Sequence, residues 1–143
     1  TGAMAIMVLS NPIKFVKTFF THQNESDRLA ATIFRMKAEA MAKAYANTFK
    51  ALAKEYGVMI NAGSIVLPAP RVVNNEIVVD ITQPIYNSTF ILFPDGTIDE
   101  KITRKSYPIS SELPFVTPYP IEELPLYELP IGKTVLLICA DSW

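Results

Sequence analysis

One cysteine is present in 143 residues, and its position is the first pointer to chemistry. Cys139 ends the apolar run Val135-Leu136-Leu137-Ile138-Cys139 and is followed at once by Ala140, Asp141 and Ser142. That run, after Gly132 and Lys133, predicts a strand over 134–139 buried on both faces. A thiol on the tip of such a strand, at a sharp turn, is held rigidly and left open to a substrate, as a nucleophile must be. The competing reading is a core cysteine, since a free thiol packs well as a small hydrophobe. His22 is the only histidine, so no histidine-based dyad is suggested. One histidine is no metal site, and neither metal nor cofactor is expected.

The composition narrows the class. The length suits one domain with a sizeable core, and half of the residues are hydrophobic, so the chain is not disordered. A formal charge of -1 argues against a nucleic-acid partner. No apolar run approaches the length of a membrane span, and no membrane partner is expected. A single cysteine makes no internal disulfide, which fits a reducing compartment, and the expected location is cytoplasmic.

The elements that must position Cys139 follow from periodicity. Phe15, Val16, Phe19 and Phe20 have helix-like spacing, as a short helix or a loop packed on the core. Residues 27–56 form the clearest helix, with Asn24 or Ser26 as its cap and Gly57 as its stop. Its stripe of Leu29, Ile33, Met36, Met41, Tyr45, Phe49 and Leu52 is expected to face the sheet. Strands are predicted over 58–67, 76–82 and 86–93, and Gly63 marks a bulge or a close backbone approach in the first. Pro94-Asp95-Gly96 is a turn, so residues 86–104 read as a hairpin. Asn87 is expected to satisfy backbone groups within it. Residues 108–130 carry six of the 11 prolines and read as an ordered surface loop.

Four landmarks in this order resemble the carbon–nitrogen hydrolase (nitrilase) superfamily. They are Phe49 to Val58 followed by Ala62-Gly63-Ser64, Tyr86-Asn87-Ser88-Thr89 followed by Pro94-Asp95-Gly96, Arg104-Lys105, and Leu137 to Trp143. The resemblance covers roughly residues 45–143. It implies an α/β fold, the α-β-β-α sandwich, and a Cys nucleophile on Cys139 with Lys105 beside it. Lys105 would stabilise the oxyanion, with the backbone N–H of Ala140 as second donor. Glu112 is the best-matched candidate for a glutamate that orients the site. Cys139 stands 34 positions after Lys105 (139 − 105), close to the family's usual spacing.

The family's general-base glutamate sits in a motif that this sequence lacks. Glu25, Glu39 and Glu55 have the wrong context for it. The chain is therefore expected to be part of a single domain, 1–143, without the first strand and the C-terminal half. The implied activity is hydrolysis of a small amide or nitrile through a cysteine thioester. The isolated segment is expected to be inactive, and to work as a homo-oligomer or with a complementary chain. A non-catalytic binding module and acyl transfer at the same site are the alternatives.

Overall fold

The computed structural model describes residues 9–21 and 25–142. Residues 5–8, His22 and Asn24 lie outside them.

Helix α1, Pro12–Thr21, starts on proline, whose fixed φ suits a first helical position. Thr18 on its inner side is buried. Arg28 fastens its end: the guanidinium lies 4.3 Å from the Phe19 ring centroid and donates to the Phe19 carbonyl at 2.7 Å. Helix α2, Arg28–Tyr56, is capped by Asp27, whose Oδ1 accepts from the Ala30 N–H at 2.9 Å. The cap is thus Asp27, not Asn24 or Ser26; the Ser26 hydroxyl donates to the Pro114 carbonyl instead. Gly57 ends the helix at φ 60, a left-handed value that glycine takes without strain.

The core-facing side of α2 differs from expectation. Its buried ridge is Ala31, Ala38, Ala42, Ala46 and Ala53, whereas Leu29 is 40% exposed. Met41, Tyr45 and Phe49 are partly buried and flank the ridge. The reason is steric. Alanines at four- and seven-residue steps let the helix lie close to the sheet, and the large side chains then wedge in from its sides. The ridge meets Leu67, Ile77, Phe90, Leu92 and Ile98. A second cluster joins Ala31, Ile85 and Val116, with Phe34 and Phe115 stacked at 5.1 Å between ring centroids.

The strands are short: β1 Ile60–Asn61, β2 Ile65–Pro68, β3 Arg71–Val73, β4 Glu76–Val78, β5 Ile85–Thr89, β6 Ile91–Leu92 and β7 Thr103–Arg104. Strand β5 is central, with β2 on one side and β7 on the other, all antiparallel. The predicted hairpin is present: Ser88 pairs with Arg104, Leu92 bridges Ile98, and Gly96 takes φ 79 at the turn. Register explains the break in the first strand. Asn61 pairs with Ile91 and Ile65 with Ser88, so residues 62–64 face only residues 89–90, which is a bulge at Gly63. A Cβ there would touch nothing, so the bulge is present without a close backbone approach at this glycine. Strands β3 and β4 form a hairpin that the sequence marks only by Asn74-Asn75. Both residues take positive φ, 51 and 63, as such tight turns require.

The predicted buried strand over 134–139 is not what forms. Strand β9 is Gly132–Val135, paired with β8, Leu126–Leu129, in a separate two-stranded sheet. One face of this hairpin buries Tyr127, while Leu126 and Val135, opposite each other, are about half exposed. Leu137 is also half exposed and Ile138 is buried. Cys139 opens a 3-10 turn, Cys139–Ser142, instead of ending a strand. Part of the proline-rich 108–130 segment is therefore strand: Pro125 and Pro130 bracket β8, and a proline-limited strand suits a sheet edge. Among the described residues the chain is mixed α/β, with two helices and four small sheets, compatible with part of the implied sandwich.

The alanine ridge is testable. Ala46→Leu should destabilise by about 1–3 kcal/mol through overpacking, whereas Leu29→Ala should lose under about 1 kcal/mol. Thermal or urea unfolding of the two variants checks this; the reverse order would restore the large-residue stripe as the packed face.

Candidate active site

Lys105 follows β7 directly, and its backbone N–H donates to the Asn87 carbonyl at 2.8 Å. Its side chain is only 2% exposed. A buried ammonium requires a partner, and Glu112 supplies it: Nζ lies 2.6 Å from Oε2. Glu112 sits in a turn where the Val116 N–H donates to its carbonyl at 2.8 Å. Oε2 also accepts from the Ile109 N–H at 2.9 Å, and Oε1 from Asn87 Nδ2 at 2.8 Å. Burial by itself would raise the Glu112 carboxyl. The hydrogen bonds from Lys105, Ile109 and Asn87, with the Lys105 charge, outweigh it and hold the carboxyl below its usual range. Asn87 thus differs from expectation, since its side-chain amide serves Glu112, not the hairpin backbone.

Cys139 lies apart from the Lys105–Glu112 pair. It is exposed, and its φ of 52 is a left-handed conformation that a residue with a Cβ rarely takes. It lines a depression of about 240 Å³ with residues 61–64, Thr89, Leu137 and Ile138. The Gly63 bulge therefore forms part of its wall. Tyr45 reaches from α2 to hold that bulge, donating to the Gly63 carbonyl at 2.7 Å. Burial pushes the Tyr45 phenol up to about 12, against hydrogen bonds with Thr89 and Phe90, so it stays a neutral donor. Thr89 donates to Asn61 Oδ1 at 3.1 Å and to the Ala62 carbonyl.

Asp141 connects the two regions. Its Oδ1 accepts from the N–H groups of Ser106 at 3.0 Å and Tyr107 at 2.8 Å. Its Oδ2 accepts from the Ile138 N–H at 3.1 Å. The cysteine turn is thereby pinned to the two residues after Lys105. Sequence reading passed over Asp141, although a signal was there. An acid at the third position of a helical turn, reaching back to the residue before the turn, is half of a capping box.

The structure therefore brings Lys105 and Glu112 into contact, and Asp141 fastens the turn of Cys139 and Ala140 to the backbone of Ser106 and Tyr107. Neither Lys105 nor Glu112 lines the depression at Cys139. Glu25 is committed elsewhere, paired with buried Arg35, while Glu39 and Glu55 are exposed. Among the described residues no three His, Cys, Asp or Glu side chains gather as a metal site would need.

The Lys105–Glu112 pair predicts a pH dependence. A carboxyl held below its usual range contributes stability above that range, and the contribution fades as pH falls through the folded-state value. Glu112→Gln should cost about 3 kcal/mol at neutral pH, because it leaves a buried charge unpaired. It should also flatten the acid limb of a plot of melting temperature against pH. An unchanged acid limb would show that the pair does not carry the effect.

Comparison with protein families matches residues 19–143 to carbon-nitrogen hydrolase. Comparison with curated proteins and with solved structures returns no match. The matched span takes in α2, the β5–β7 hairpin, Lys105, Glu112 and Cys139, and the chain belongs to the carbon-nitrogen hydrolase family.

Proposed function

We propose that the chain carries the nucleophilic part of a site that hydrolyses a small amide or nitrile through a thioester on Cys139. One observation carries this reading. Cys139 is exposed at a positive φ on the wall of a depression, and Asp141 ties its turn to the residues after Lys105. A strained turn that presents a nucleophile is a recurring arrangement for acyl transfer.

For an amide the steps are these. A base takes the thiol proton, and the sulfur attacks the carbonyl carbon. The π pair moves to oxygen, where the Lys105 ammonium and the Ala140 N–H stabilise it. Glu112 takes one of the three donors of Lys105 and fixes its direction, leaving others for the oxyanion. Collapse expels the amine with a proton and leaves the thioester. Water, deprotonated by the same base, attacks it; carboxylic acid departs and the thiol is restored.

The base is the missing part. Among the described residues no carboxylate lines the depression, and both Glu112 oxygens are already engaged. Lys105 is a cation and cannot accept the proton. We assign the base to a carboxylate supplied from outside these 143 residues, within a larger domain of the sandwich type or from a complementary chain. The same gap favours a second reading, a non-catalytic module that binds a small amide.

Residues 1–143 alone should turn over neither simple amides nor nitriles. With flanking sequence restored, turnover should appear and fall at least about a thousandfold in Cys139→Ala. Turnover by the isolated chain, lost in Cys139→Ala, would misplace the base. Amide binding without turnover in the extended protein would favour the binding module. Iodoacetamide should label Cys139 in the native fold; labelling only after denaturation would return it to a core role.

A further inference from the structure

Helix α1 turns an apolar stripe away from the protein. Ile13 is 84% exposed, Val16 52% and Phe20 62%, and Leu9 just before the helix is 78% exposed. Ile13, Val16 and Phe20 fall within about 60° of one another around the helix axis. Buried Thr18 lies on the opposite side, and Arg28 clamps the helix end through the Phe19 ring and carbonyl. The stripe is therefore held outward by the packing of α1 on α2.

The charges around it are one-sided. Residues 1–24 contain Lys14 and Lys17 and no Asp or Glu. The remaining 11 Lys and Arg (13 less these two) stand against all 14 Asp and Glu, so the rest of the chain is net negative. An apolar stripe beside lysines, on a helix without acids, is the pattern of a helix that lies in a membrane interface. We propose that α1 docks the protein peripherally on an anionic lipid surface, with Ile13, Val16 and Phe20 in the headgroup–acyl boundary, Lys17 flanking them over the phosphates, and Lys14 farther round the helix adding to the positive charge.

Two observations favour lipid over a second copy of this chain. Four apolar side chains fall well short of the 20–30 residues a side of a stable protein interface. Pairing two such helices would also bring their lysines together. No helix among the described residues is long and apolar enough to cross a membrane, so the contact is interfacial. The lack of a spanning run led to no expected membrane partner, but a helix lying in the interface needs no such run.

The test is flotation of the full chain with vesicles of phosphatidylcholine containing about one quarter phosphatidylglycerol, and with phosphatidylcholine alone. Binding should favour the anionic vesicles and weaken in raised salt. Lys17→Gln should reduce it about fivefold, and Lys14→Gln, farther from the stripe, by less. Ile13→Ser should weaken it without changing the melting temperature, and Ile13→Glu with Val16→Glu should abolish it. No flotation with anionic vesicles would overturn the proposal, as would flotation indifferent to these substitutions. A concentration-dependent dimer that dissociates in Ile13→Ser, without vesicle binding, would assign the face to a second copy instead.

Discussion

The Asp141 carboxylate is the constraint on which the site depends. Three backbone N–H groups converge on it: two from the segment after Lys105 and one from the residue before Cys139. Hydrogen bonds to an ionised acceptor are worth more than neutral ones, roughly 1.5–3 kcal/mol each. A cysteine at positive φ costs on the order of 1–2 kcal/mol. The bonds therefore outweigh the strain and keep the thiol turned outward. They add to the hold of the preceding β8–β9 hairpin, whose buried Tyr127 hydroxyl lies 3.0 Å from Thr103 Oγ1 on the strand before Lys105.

Lys105 depends in turn on a second carboxylate and on what stands behind it. The turn that carries Glu112 is held from the far side by the start of α2. The Asp27 N–H and the Ser26 hydroxyl both donate to the Pro114 carbonyl, at 3.0 and 3.3 Å, and Phe115 stacks on Phe34. Helix α2 thus reaches the candidate site at two places. Its first turn positions Glu112, and Tyr45 at its middle fixes the Gly63 bulge beside Cys139. A long helix with an alanine ridge is rigid and close enough to the sheet to do both.

Much of this was legible in the residues. The alanine-rich periodicity and Gly57 marked α2, although its cap was misplaced. The Pro94-Asp95-Gly96 turn marked the hairpin that delivers Lys105, and Gly63 marked a bulge. Cys139 was read as open at a sharp turn on the tip of a buried strand; it is exposed at a turn, but no strand leads to it. The landmarks, in order, identified the family. Such features are local, because they depend on φ preferences and on spacing along one segment.

Contact between segments was not legible. Apolar periodicity shows that α2 has a packing face, but the width of the space beneath it selects alanine over leucine for the closest approach. The run 134–139 has the composition of a buried strand, yet only 132–135 pairs, with 126–129, and that hairpin leaves Leu126 and Val135 half exposed. Pairing partners are a property of two segments, not one. Asn87 and Asp141 show the same limit at the site: a carboxylate or an amide can satisfy many donors and acceptors, and only the tertiary arrangement decides which ones come within 3 Å. Residue types and spacing determined which chemistry this chain is equipped for. The fold decided which groups touch, because hydrogen bonds and burial act through distance in space.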